Sequence, residues 1–195
     1  MVNHHNQSNW VIIIKSHAVK EGIDKIIIDF LEHKEDNKFI KRISLKEKTK
    51  KELFNLFIDD IREINISPDS DFFDLVYPQN IKKEYFSLLK KLYSWKSIWL
   101  TLSYKGTQDE LQEILKDLKG QTRLLDHSGN IIREWFWLRG LLLSPRKYIK
   151  KEILETLSIP EFEEVMQNML NNILHTSDNQ QEYYNILHYI KHLNL

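Results

Sequence analysis

A chain of 195 residues with 42% hydrophobic side chains and only five glycines and four prolines can bury a substantial core, and its composition is that of a helix-rich globular protein rather than a disordered one. The absence of cysteine excludes a disulfide framework, a thiolate nucleophile and a cysteine-based zinc site. The 28 basic and 28 acidic residues cancel, which argues against a protein that coats nucleic acid, because such binding rests on a large cationic field.

The first fifteen residues, MVNHHNQSNWVIIIK, lack the basic region and small-residue cleavage site of a signal peptide, and no run in the chain reaches the length of a membrane span. The expected location is the cytoplasm, with no membrane partner. Residues 10–14 form a continuous apolar run that suits a strand buried on both faces. Val19, Ile23, Ile26, Ile27, Phe30 and Leu31 then recur at helical spacing, with Ser16 available as a cap. A charged loop over 32–37 and an edge strand over 39–45 follow.

Residues 46–64 read as a lysine-led helix whose Leu53, Phe54, Phe57, Ile61 and Ile64 make one apolar stripe. Seven basic residues and one acidic lie between Lys38 and Lys51, and six acidic residues and one basic between Asp59 and Asp74. The basic run is a docking patch in the functional reading, but charge runs on helices are ordinarily solvated faces, and that reading is preferred. Asp69, Asp71 and Asp74 follow Pro68. A calcium loop would need Gly and Glu where Asp74 and Asn80 stand, so a turn with capping aspartates is preferred.

Residues 72–77 read as a strand ended by Pro78. Ile81, Tyr85, Leu88, Leu89 and Leu92 stripe the next helix, and residues 98–102 make a buried strand with Trp99 facing a helical layer. Thr107 and Glu110 form a capping box for a helix whose Leu111, Ile114, Leu115 and Leu118 face the core and which Gly120 stops. A hairpin follows over 121–139, turning at Ser128, Gly129 and Asn130. From Ser144 onward the pattern is helical only: Ile149, Ile153 and Leu157; then Phe162, Val165, Met166, Met169, Leu170 and Ile173; then Tyr183, Leu187 and Ile190. The expected fold is therefore α/β (α+β), a mixed sheet flanked by amphipathic helices over residues 1–143, with a three-helix lobe over 144–195.

No phosphate loop, nucleophile elbow or H-E-x-x-H motif is present. His188 and His192 could face one metal from a helix, but no third ligand is evident, and His4 and His5 lie in a polar arm. Asp126, His127 and Ser128 are adjacent, which is the wrong geometry for a triad assembled in space. No catalytic residue, cofactor or metal is expected. Glu134, Trp135, Trp137 and Arg139 are the candidate partner-binding residues, because Trp and Arg dominate binding surfaces; aromatic runs in strands are usually packing, and the reading that places those aromatics in the core is preferred.

The order of elements over residues 72–166 resembles the type VI secretion effector-adaptor family. The resemblance is carried by a strand and proline at 72–78, a Trp-containing strand at 94–103, a helix written T-x-x-E-L-x-x-I-L from Thr107, an Asp-x-x-Gly turn ending at Gly129, and an aromatic strand ending in Arg139. Where that family typically has Phe-Arg-Phe-Tyr-Asp-Pro-Arg, only Arg139 matches directly; Glu134, Trp135, Phe136, Trp137 and Leu138 depart from it. The resemblance implies a non-enzymatic chaperone that binds a protein effector or toxin and helps load it onto a secretion spike protein. The alternative is a cytoplasmic immunity-type protein that inhibits a cognate toxin, and an enzyme of unrecognised class ranks last.

Overall fold

The computed structural model describes residues 7–32, 47–76, 83–119, 173–177 and 179–193. Strand β1 (Gln7–Ile14) is followed by helices α1 (Ser16–Lys20), α2 (Ile23–Leu31) and α3 (Glu47–Leu53). Strand β2 (Leu56–Ile66), helices α4 (Phe72–Val76) and α5 (Lys83–Tyr93), strand β3 (Trp95–Lys105) and helix α6 (Gln108–Lys119) come next. Strand β4 (Leu174–Thr176) and helix α7 (Gln180–His192) complete the described elements. The strands form one antiparallel sheet in the order β2-β3-β1-β4, so the fold is mixed α/β.

The apolar run of β1 does what its composition requires. Successive strand residues point to opposite faces, and Trp10 to Ile14 are all at most 1% exposed. Trp10, Ile12 and Ile14 enter one core with Leu100 and Leu102 of β3, Ile27 and Phe30 of α2, and Leu111, Ile114, Leu115 and Leu118 of α6. Val11 and Ile13 enter a second core with Trp99, Phe72, Phe73, Leu92, Tyr93, Ile186 and Tyr189. Helices therefore cover both faces of an antiparallel sheet. In the second core Phe72 lies 5.4–5.8 Å, ring centroid to centroid, from Tyr93, Trp99 and Tyr189.

The capping box predicted at the start of α6 is formed. Glu110 Oε2 accepts from the Thr107 backbone N–H at 2.9 Å and from its hydroxyl at 3.1 Å, while the Glu110 N–H donates to Thr107 Oγ1 at 3.3 Å. Gly106 just before it is required sterically, since a Cβ there would run into the ring of Tyr104, itself 1% exposed. Asn179 caps α7 in the same manner, accepting from the Glu182 N–H at 2.9 Å.

Several expected elements differ. The single helix over 46–64 is α3 followed by β2, and Phe57 and Ile61 of its supposed apolar stripe are 39% and 45% exposed. A β-bulge between Ile58 and Asp60 adds a residue to the strand, and the shifted alternation imitates a helical period. Leu56 and Ile58 consequently pack with the first core and Ile64 and Ile66 with the second.

The strand expected at 72–77 is instead the helix α4 over Phe72–Val76. Ser70 Oγ accepts from the Phe72 N–H at 3.1 Å and starts it, and Phe72 and Phe73 are both fully buried, which a half-buried strand cannot achieve with adjacent residues. The helix expected from Val19 is broken at Gly22, whose φ is +71°, and Ser16 lies inside α1 rather than capping it. The wholly helical ending is interrupted by β4, which pairs with β1 through Ile12↔Thr176 to Ile14↔Leu174. The expected edge strand at 39–45, the hairpin at 121–139 and the helices between 144 and 172 lie outside the described residues.

Two outcomes follow for stability. Phe72→Ala should cost about 3–5 kcal/mol in urea unfolding, the usual range for emptying a buried aromatic site. The Glu110 carboxyl is held below its ordinary value by the backbone and hydroxyl bonds from Thr107. A depressed acid stabilises the fold above its unfolded pKa and ceases to do so as pH falls through its folded pKa. The stability advantage of wild type over Glu110→Gln should therefore be present at neutral pH and vanish on acidification below the ordinary carboxylate range.

Candidate functional site

Two features stand apart from ordinary packing, one internal and one on the surface. The internal one begins where β1 ends. Lys15, Ser16 and His17 are 3%, 0% and 2% exposed, an unusual run of polar burial. The Lys15 N–H donates to the Ile173 carbonyl at 2.9 Å, which clips the end of β1 to the start of β4. Its Nζ lies 5.0 Å from the ring centroid of Tyr93, a cation–π approach across desolvated space. His17 Nδ1 is 3.3 Å from the Leu92 carbonyl. The ring of His175 meets Tyr93 edge-on at 5.9 Å, and its Nε2 stands 3.0 Å from Glu182 Oε1. That last approach lacks the alignment of a hydrogen bond.

This seam joins the first strand, the end of α5 and the last described segment around one tyrosine. A carboxylate that fixes an imidazole is the orienting half of acid–base machinery. Here, however, Lys15, His17, Tyr93, His175, Thr176 and Ser177 are all less than 9% exposed, and the Glu182 side chain is only 11% exposed. Groups shut away in this manner lock segments together; they do not meet a substrate in this conformation. The Ser16 and Ser177 hydroxyls are buried without a hydrogen-bond partner, each of which costs about 1–3 kcal/mol.

The surface feature is Trp95. Helix α5 ends at Tyr93, the Ser94 N–H and hydroxyl both donate to the Lys90 carbonyl, and the chain then turns into β3 through Trp95 at φ +78°. Two residues past a helix end, a positive φ is ordinarily supplied by glycine. A tryptophan there pays about 1–2 kcal/mol in backbone strain. Its side chain is 63% exposed, so burial does not offset that cost within the chain. Phe54, Phe57 and Ile61, 41%, 39% and 45% exposed, add apolar surface where β2 forms an edge of the described sheet.

Beside them β2 carries charge. Asp60 accepts from Arg62 Nε at 2.6 Å, Asp59 accepts from the Ser103 hydroxyl at 2.7 Å, and Glu63 pairs with Lys96. The Asp60 carboxylate also accepts from the Ile61 N–H at 3.0 Å, and the Arg62 guanidinium beside it holds this acid below the usual carboxylate range. Charges and a bulge on an edge strand are devices against unselective strand pairing.

The candidate residues Glu134, Trp135, Trp137 and Arg139, and the Asp126–His127–Ser128 turn, lie outside the described residues. Asp69, Asp71 and Asp74 are exposed, and Ser67 Oγ and the Asp71 carbonyl accept from N–H groups of this turn. In the basic run, Lys48 and Lys50 pair with Glu52 and Glu47 of their own helix at 3.3 Å. Sequence reasoning missed the buried seam and Trp95. The signals available were the polar triplets Lys15-Ser16-His17 and His175-Thr176-Ser177 directly after apolar runs, and a helix end without glycine before Trp95.

Among the described residues no helix is long and apolar enough to cross a membrane. Comparison of the chain with protein-family models finds no match, and neither does comparison with curated proteins. The class is thus defined by the fold: an α/β protein with helices on both faces of an antiparallel sheet.

Glu182→Ala removes the carboxylate beside the buried His175 and should destabilise the protein by about 1–3 kcal/mol. Chemical unfolding monitored by tryptophan fluorescence checks this.

Proposed function

We propose that this chain is a non-enzymatic, cytoplasmic adaptor that binds a secreted protein effector and helps load it onto a type VI secretion spike. The observation that carries the binding part is Trp95: a strained, 63% exposed tryptophan stands where glycine would relieve the backbone. Exposed Trp anchors contribute disproportionately to protein interfaces. The secretion part rests on the family resemblance, of which the Trp-containing strand and the Thr107 helix are present in the fold, while its first strand is the helix α4.

An immunity-type inhibitor is the second reading. The exposed carboxylates of Asp59 and Glu63 on β2 favour it, since such a strand could offer charge to a toxin's cationic active site.

Co-expression with the products of the flanking genes, affinity capture and size-exclusion chromatography test both. Co-elution with a toxin that stays active supports the adaptor; a toxin silenced in the complex supports the inhibitor; no complex with any of them overturns both. Trp95→Gly should keep the fold and change its stability by no more than about 1 kcal/mol, because relieved strain offsets the added chain entropy. The same substitution should weaken the complex at least about tenfold, the equivalent of 1.4 kcal/mol. Unchanged affinity would remove Trp95 from the interface.

A further inference from the structure

The last two turns of α7 carry an imidazole pair that the proposed function does not use. His188 and His192 are both exposed, four residues apart on one helix face, with their Nε2 atoms 3.0 Å apart and ring centroids 4.1 Å apart. At that separation one Nε2 carries a hydrogen and the other accepts it; once that hydrogen moves to Nδ1, the two Nε2 atoms lie within the span of one ion. An ion bound to both at the usual metal–imidazole distance of about 2.0–2.1 Å would see them at an angle of about 90°. That is the angle between neighbouring ligands in square-planar or octahedral coordination, and it is tighter than the tetrahedral angle that zinc prefers.

From this geometry we infer that His188 and His192 form a two-histidine chelating site for a divalent transition ion of tetragonal preference, Cu²⁺ or Ni²⁺. Imidazole nitrogen suits these ions, and Cu²⁺ binds such donors most tightly among the divalent first-row metals. His192 is the final residue of α7, so the cation lies at the negative end of the helix dipole. Among the described residues no group of three or more His, Cys, Asp or Glu could hold a metal. The described residues thus supply two donors, and the site we infer is an open, exchangeable chelate whose other positions take water or an incoming donor.

The test is titration of CuCl₂, and separately NiCl₂, into the full chain, read by calorimetry, with electron paramagnetic resonance of the copper form. A His4→Ala/His5→Ala background removes the other histidine pair that the sequence offers. In it, one equivalent should bind, with a tetragonal copper spectrum showing nitrogen coupling. His188→Ala or His192→Ala should each weaken binding about tenfold or more. Only the folded helix sets both nitrogens together, so metal should raise the Tm of that background, and the rise should disappear when both histidines are replaced. Equal affinity in the His188→Ala/His192→Ala variant, or no saturable binding in the His4→Ala/His5→Ala background, would overturn the site.

Discussion

Everything in this fold answers to the burial of β1 on both faces. Ile12 and Ile13 are neighbours in sequence, point to opposite sides of the sheet, and are both 0% exposed. Full burial of an aliphatic or aromatic side chain is worth about 1.5–3 kcal/mol. The five residues from Trp10 to Ile14 therefore contribute on the scale of the whole net stability of a domain, about 5–15 kcal/mol. No single layer of helices can supply that. The first face is closed by α2, α3 and α6, and the second by α4, α5 and α7. Helices from near both ends of the described chain are recruited to one strand.

The same requirement explains where the polar groups went. When a strand buried on both sides ends, its next residues are still inside the protein, and the chain must turn there with polar groups attached. Lys15, Ser16 and His17 occupy that position. Their surroundings come from distant segments: the Tyr93 ring over Lys15, the Leu92 carbonyl at His17, and the Ile173 carbonyl at the Lys15 N–H. A buried polar group is costly unless engaged, so such a seam discriminates against other arrangements of the three segments more than it adds to stability.

What was legible in the sequence divides along physical lines. β1 and β3 announced themselves as apolar runs, α5, α6 and α7 as apolar stripes with helical spacing, and the Thr107–Glu110 cap by residue type and spacing alone. These signals are local. β2 was not legible, because its bulge inserts one residue into an alternating pattern and turns a period of two into an imitation of three to four. α4 was misread because a five-residue helix is too short to display a period, and its two adjacent phenylalanines are buried by tertiary packing with Tyr93, Trp99 and Tyr189. β4 has three residues and exists because β1 offers it an edge. The seam unites segments as far apart as Lys15 and Ile173, and composition does not encode such a meeting.

The strain at Trp95 connects the seam to the surface. An unfavourable backbone conformation persists only when its surroundings over-determine it, and the residues just before Trp95 are held from several directions. Tyr93 is enclosed by Lys15, His175, Phe72 and Phe73, and Ser94 is fastened to the Lys90 carbonyl through both its N–H and its hydroxyl. On the other side, β3 pairs immediately with β2 through Trp95↔Ile66 and with β1 further along. With the helix end and the strand both fixed, the connecting residue has to take the positive φ whatever its side chain. The fold demands a left-handed residue at this position but does not demand tryptophan. The fold leaves the large ring 63% exposed, and in the proposed adaptor that ring is what meets the partner's surface.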